Sequence, residues 1–278
     1  MIVVRTRFAP SPTGRLHLGH ALAAKEAYDL AKESAGGIFL LRHEDIDGPR
    51  VREEFYEGIE QDLKWLGFPW NGKPLRQTTR IAAYEAALAS LRKRGLVYPC
   101  FCTRREIHEE WARIAAAPQG PGSAVYPGTC LELTEAVRLE KLRSGMPHAW
   151  RLDSRKATAV TGPLTFRDLR FGEIRVNPEL LGDVVLARKD IGTAYHLAVV
   201  VDDAFQEITH VTRGEDLLES THVHRLLQNL LDLPEPVYLH HRLVVDESGK
   251  RLAKRDDSLA IAALRERGMT PQEVIRTL

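Results

Sequence analysis

The chain has 278 residues, 44% apolar and 28% charged, enough for one large or two modest domains with a real core. Its 39 Lys and Arg against 38 Asp and Glu leave a net charge of +1, so there is no global nucleic-acid footprint, although a local basic strip can still bind a nucleic acid. No run of about 18 uncharged apolar residues predicts a membrane span, the apolar start is too short for a secretory signal, and three cysteines make no secreted disulfide framework, which leaves the cytoplasm as the expected compartment.

In chain order, Ile2-Val-Val4 predicts a short strand feeding the turn Ala9-Pro-Ser-Pro-Thr-Gly14 and then His17-Leu-Gly-His20. Ala21 to Ser34 follows at helical spacing and is stopped by Gly36-Gly37. This layout delivers two imidazoles and a glycine to a helix N-terminus, whose open N–H groups suit phosphate. Gly19 would let a flat ring such as adenine approach the backbone. Imidazole N–H groups can follow an oxygen that gains charge during nucleotidyl transfer. Taken alone, His-Leu-Gly-His equally fits a surface turn with two incidental histidines.

Ile38 to Arg42 reads as a strand buried on both faces. Apolar residues from Val51 to Leu63 and from Ile81 to Leu91 predict two helices, with Gly67 and Gly95 as stops. The alternation argues for α/β with a parallel sheet. From Cys100 to about Asp183 periodicity weakens, and this stretch is expected to be an insertion with its own small fold. The α/β pattern resumes with Asp183-Val-Val-Leu186 and the apolar run Leu197 to Val201. Tyr195, just before that run, is by itself a half-buried strand aromatic, and Glu44 by itself an exposed loop acid. Leu217 to Leu231 predicts a helix, and Leu259 to Leu278 one or two short ones. Between them, Gly249-Lys-Arg-Leu-Ala-Lys-Arg-Asp256 is either a solvated basic loop or one that holds an anion.

The string from Arg7 to His20 is similar to the HIGH signature of class I aminoacyl-tRNA synthetases, in the form used by glutamyl and glutaminyl enzymes. The Gly249 to Asp256 loop resembles the second signature of that class, KMSKS, with Ala253 in place of the usual serine. The resemblance covers essentially the whole chain. It implies an α/β fold: a Rossmann-type parallel sheet, an inserted zinc-containing subdomain and a short helical C-terminal segment. Residues 1–99 would be the first half of the catalytic domain, 100–183 the zinc and acceptor-type insertion and 184–245 the second half. The KMSKS-like loop and terminal helices would occupy 246–278.

The resemblance also implies the reactants. ATP with Mg²⁺ would meet His17, Gly19, His20 and Lys254, with His17, His20 and Lys254 catalytic. Glutamate carries one ammonium and two carboxylates, so its pocket needs an acid and arginines. Arg7, Phe8, Ala9, Pro10, Ser11, Glu44, Tyr195 and Arg213 are the residues implied for it. Zinc wants four ligands, and Cys100, Cys102 and Cys130 fall one short. Generic ligand chemistry nominates His108. The resemblance, to short glutamyl-synthetase-like proteins with Cys-x-Cys and Tyr-x-x-x-Cys, nominates Tyr126 for one structural zinc per chain. Three reduced cysteines in a loop are the alternative.

About twenty residues follow Ser258, whereas full-length glutamyl-tRNA synthetases continue into helical domains that read the anticodon. The chain therefore resembles the short members of the family, which activate L-glutamate and attach it to queuosine in the anticodon loop of tRNA(Asp). A monomer with no membrane partner is expected. Three rivals stay open. One is a stripped glutamyl-tRNA synthetase charging the 3′ end, another a HIGH-type nucleotidyltransferase making a small metabolite. The third is a non-catalytic tRNA- or protein-binding module.

Overall fold

The computed structural model describes residues 3–103, 105–107, 125–244 and 260–278. Strand β1 (Arg5–Phe8) is followed by helix α1 (Leu18–Lys32), β2 (Ile38–His43), α2 (Glu53–Leu66), β3 (Leu75–Arg76) and α3 (Ile81–Lys93). The middle of the chain supplies β4 (Val97–Cys100), α4 (Glu135–Arg143), β5 (Ala149–Leu152), α5 (Ser154–Thr161), β6 (Thr165–Asp168) and β7 (Gly172–Arg175). Then come β8 (Val185–Ala187), α6 (Tyr195–Phe205), β9 (His210–Gly214), α7 (Leu218–Leu230) and β10 (Val237–His241). Two short helices, α8 (Ile261–Glu266) and α9 (Pro271–Arg276), end the chain.

Strands β1, β2 and β3 pair in parallel in that order. Strands β9, β10 and β6 form a second parallel set, edged by the antiparallel β6–β7 hairpin. Thr209 N donates to Arg5 O at 3.0 Å, which brings β9 alongside β1. The order of the strands reverses at that seam, and ligands of open α/β sheets settle beyond the carboxyl ends of strands at such a point. Strands β4, β5 and β8 form a separate antiparallel sheet.

Alanines explain how closely α1 lies on this sheet. Ala21, Ala24, Ala27 and Ala31 are all buried, and Thr6 Oγ1 donates to Ala27 O at 2.7 Å. Gly37 is dictated by the same closeness, because a Cβ there would stand 1.8 Å from Ala31 O. Phe39, Leu41, Ile59, Leu63 and Ile261 join α1, β2, α2 and α8 in one apolar core. Tyr84, Leu91, Leu186, Leu197, Val223 and Leu227 join α3, β8, α6 and α7 in another. Among the described residues no helix is long and apolar enough to cross a membrane.

Two expectations shift. The first strand is Arg5–Phe8, not the apolar run before it, whose Ile2 lies outside the described residues. Its buried residues are Thr6, Arg7 and Phe8, whereas Val3 is 45% exposed. The run Leu197 to Val201 is the interior of α6 and not a strand, so Tyr195 opens a helix. Leu197, Ala198, Val199 and Val200 are each no more than 2% exposed, and burial on nearly every side overrides the strand preference of valine. The segment 100–183 shares sheets with both flanks: β5 pairs with β4 and β8, and β6 with β10.

Candidate active site

His17 caps α1 from an extended backbone, and its side chain accepts the Gly19 N–H at 3.1 Å through Nδ1. His20 Nδ1 in turn accepts the His17 N–H at 3.2 Å. Each ring thus uses Nδ1 as an acceptor, which leaves the proton of each neutral imidazole on Nε2. The ring centroids are 3.9 Å apart. A Cβ on Gly19 would sit 3.1 Å from His17 Cε1, so glycine here makes room for the capping ring as well as for a ligand.

A cleft of about 810 Å³ opens at this helix end. It is lined by Arg7 through Ser11, His17, Gly19, His20, Glu44, Tyr195 and Arg213, so the sequence candidates for ATP and glutamate that are described meet in one place. Lys254 and His108 lie outside the described residues. Both flanks of the segment carrying Lys254 nevertheless reach the cleft. Val244 lines it, Ala260 bridges to His17, and Ile261 N donates to Leu16 O at 2.8 Å.

Glu44 follows β2 directly, and its N–H is tied to Pro10 O at 3.0 Å. Its side chain is 13% exposed, with Oε1 accepting from Arg42 Nη2 at 3.3 Å, so it is not an exposed loop acid. Burial raises its pKa above the ordinary carboxylate value, with Arg42 and Arg7 pulling the other way. Beneath it, Asp203 accepts from Arg42 Nη1 at 2.7 Å and from Arg7 Nε at 2.8 Å. Burial alone would lift the Asp203 pKa, but Arg7 and Arg42 overcome it and hold the acid below its ordinary value.

The two arginines implied for the glutamate carboxylates are already engaged inside the protein. Arg7 donates to both oxygens of Asp203 and to Thr212 O. Arg213 donates from Nε to His240 Nε2 at 3.1 Å, from Nη1 to His224 Nδ1 at 3.0 Å, and from Nη2 to Thr221 Oγ1. A guanidinium has five N–H donors, so each arginine is fixed in place and still has donors for a ligand. Burial raises the Tyr195 pKa, which keeps its hydroxyl neutral and able to donate.

A second cleft, of about 880 Å³, shares Ser11, Glu44 and Tyr195 with the first and runs to Cys100, Cys102 and Tyr126. The cysteines are free, and the sulfurs of Cys100, Cys102 and Cys130 lie within 4.8 Å of one another. Tyr126 Oη is 3.4 Å from Cys100 Sγ and from Cys102 Sγ, and it accepts the Cys130 N–H at 3.0 Å. Hydrogen bonding from Cys100 pulls the Cys130 thiol down to about 6. A tetrahedral ion with Zn–S bonds of about 2.3 Å wants sulfurs about 3.8 Å apart. Three soft donors and one phenol at this spacing fit such an ion.

Sequence reasoning did not find Arg42, Asp203, Thr212, His224, His240 or Asp168. The one available signal was Asp202-Asp203 at the end of an apolar run, since buried carboxylates need cationic or hydrogen-bonding partners. Asp202 has its own, Tyr84 Oη at 2.6 Å, Gln77 Nε2 at 3.0 Å and Arg80 Nε at 3.2 Å.

Comparison with known proteins gives consistent relatives. A family model for class I tRNA synthetases (E and Q), catalytic domain, matches residues 3–278. The chain is 48% identical to a glutamyl-Q tRNA(Asp) synthetase of Rhodobacter capsulatus, over 98% of this chain and 99% of that protein. A protein of the same name from Nocardia farcinica is 44% identical over 98% of this chain and 82% of its own length. Among solved structures, the glutamate-tRNA synthetase of Elizabethkingia anophelis superposes with a TM-score of 0.79 at 32% identity, covering 91% of this chain. The match spans 53% of that longer chain.

Proposed function

The chain belongs to the class I tRNA synthetases of the glutamate and glutamine branch, and from that premise we propose that it activates L-glutamate with ATP and transfers it to queuosine in the anticodon loop of tRNA(Asp). In the first step a glutamate α-carboxylate oxygen attacks the α-phosphorus of ATP and pyrophosphate leaves. In the second, a hydroxyl of the acceptor attacks the activated carbonyl carbon and AMP leaves. The observation that carries this reading is the convergence, in one cleft, of a histidine-capped helix end with a half-buried acid, two anchored arginines and a neutral tyrosine hydroxyl.

Within it the roles divide by charge. The Nε2–H groups of His17 and His20, with the open amides of α1, meet the phosphates, and Lys254 with Mg²⁺ neutralises the departing pyrophosphate. Glu44 receives the substrate ammonium, which would restore the charge that burial disfavours. Arg7, Arg213 and Tyr195 face the carboxylates, and Phe8 to Ser11 form the adjoining wall. Acceptor specificity for queuosine rests on the Rhodobacter and Nocardia relatives, which are matched over most of their lengths. We further read residues 100–183 as the insertion that carries the acceptor side of the site.

The test incubates the protein with ATP, labelled glutamate and tRNA(Asp) from cells that make queuosine or cannot. Glutamate-dependent ATP–pyrophosphate exchange is expected without tRNA, followed by label in the anticodon loop of the modified tRNA alone. Label on the terminal adenosine, or equal charging of unmodified tRNA, would replace this reading with a 3′-charging enzyme. Lack of any exchange would return the protein to the binding modules.

The metal is part of the proposal. Cys100, Cys102, Cys130 and Tyr126 would hold one structural zinc that ties β4 to the 125–131 stretch and supports the wall of the second cleft. Elemental analysis of protein prepared without chelators should find about one zinc per chain, and Cys102→Ser should lose most of it while exchange activity is largely kept. Zinc-free wild type would remove the site. Zinc retained in Tyr126→Phe but lost in His108→Ala would reassign the fourth ligand.

A further inference from the structure

A chain of side chains runs from the second cleft to strand β6. His196 Nδ1 lies 3.0 Å from His224 Nε2, and His224 Nδ1 lies 3.0 Å from Arg213 Nη1. Arg213 Nε is 3.1 Å from His240 Nε2, and His240 Nδ1 is 2.7 Å from Asp168 Oδ2. A guanidinium can only donate, and that fact sets every proton in the chain. His224 must accept at Nδ1, so its proton is on Nε2 and is given to His196 Nδ1. His196 therefore carries its own proton on Nε2. On the other side His240 accepts at Nε2 and gives its Nδ1 proton to Asp168, whose remaining oxygen takes the N–H groups of Arg170 and Phe171. Burial, and after it Arg213, lowers the pKa of His196 to about 4 and that of His224 well below its ordinary value, so neither ring charges near neutral pH.

His196 lines the second cleft but not the first, next to Tyr195, which lines both. Its Nδ1 is taken and its Nε2 is protonated, so it cannot serve as a base toward anything in that cleft. It can only donate. The first cleft holds the phosphate-type helix end, so among the described residues the second offers a separate approach to the shared Ser11, Glu44 and Tyr195.

Resting on the proposed function, we infer that His196 is a specificity-determining donor, its Nε2–H held out by the Arg213-keyed chain to bind an oxygen of the incoming acceptor nucleoside. A neutral N–H of fixed direction discriminates better than a rotating hydroxyl, because a nucleoside without an oxygen there leaves a donor unpaired. Arg213 links the two substrates physically, as one guanidinium faces the amino-acid cleft and also sets the tautomer of the donor in the acceptor cleft.

Two measurements on the intact enzyme test this. In ¹⁵N-histidine spectra at neutral pH, His196 and His224 should be the neutral Nε2–H tautomer and His240 the Nδ1–H tautomer. A His196 protonated on Nδ1 overturns the inference whatever the acceptor is. Then His196→Phe and His196→Gln are compared in ATP–pyrophosphate exchange and in glutamyl transfer to queuosine-bearing tRNA(Asp). His196→Phe should raise the KM for that tRNA by about 10-fold more than it changes exchange, and His196→Gln, which can place an N–H near the same point, should recover most of the loss. Equal transfer by wild type and His196→Phe, or a loss confined to the glutamate KM in exchange, overturns the role of His196 alone. A wild-type enzyme that exchanges pyrophosphate but does not glutamylate this tRNA overturns the parent reading and the acceptor role together.

Discussion

Asp203→Asn is expected to lower the unfolding free energy by about 3–5 kcal/mol, the range for removing one partner of a buried ion pair. The melting temperature should fall by roughly 10 °C. Asp203 is the anion between two guanidiniums, one of them wholly inaccessible: Arg42 is 0% and Arg7 5% exposed. An amide in its place can still accept one hydrogen bond, but it leaves Arg7 and Arg42 with Glu44 and Asp202 to balance them in place of the acid they share. The sign of the pH dependence follows from the lowered Asp203 pKa. Its stabilisation is complete above the unfolded value of about 3.9 and is lost as pH falls through the folded value. The Asn variant should lack that part of the acid-side loss. Because Arg7 also lines the first cleft, the glutamate KM in exchange should rise as well. Calorimetry showing the variant within about 2 °C of wild type would mean that Asp203 does not hold the two arginines together.

That acid and its arginines mark where sequence reading stops. The His17 to His20 loop was legible because its chemistry is local: a cap, a glycine and two rings within four residues, the His17 ring accepting from Gly19 and the His20 ring from the His17 N–H. Helices α2, α3 and α7 were legible because one apolar face repeats at helical spacing. Strand β1 was misplaced since it buries Thr6 and Arg7, residues whose partners, Ala27 and Asp203, are 21 and 196 positions away. Helix α6 carries no polar face over Leu197 to Val200, so its period could not be told from that of a buried strand. The chain from His196 to Asp168 was invisible for the same reason as β1. It joins α6, α7, β9, β10 and β6, and nothing local marks a histidine as the partner of another element's arginine. The join between β6 and β10 likewise depends on a pairing 70 positions apart, from Asp168 to Tyr238, which weak periodicity after Cys100 could not reveal.

Lys254→Ala is expected to reduce kcat for glutamate-dependent exchange by roughly 10²–10³ while changing the glutamate KM little. The physical ground is the timing of charge. In the proposed mechanism glutamate would meet Glu44, Arg7 and Arg213 before any bond to phosphorus forms, whereas negative charge on the pyrophosphate grows only as its bond to the α-phosphorus breaks. A cation on that side is therefore felt in the transition state and hardly at all in ground-state binding. The described residues on either side of Lys254 reach that place. Val244 lines the cleft, and Ala260 bridges to His17 on the cap of α1. Six positions separate Lys254 from Ala260, so at most about 21 Å of extended chain joins the lysine to the residue that bridges to His17. Lys254→Arg should restore part of the rate, as the charge is kept and its geometry altered. A variant whose glutamate KM rises with kcat intact would place Lys254 in substrate binding. An unchanged kcat would mean that the basic loop is only a solvated one, and that the phosphates are neutralised by Mg²⁺ and the helix end without it.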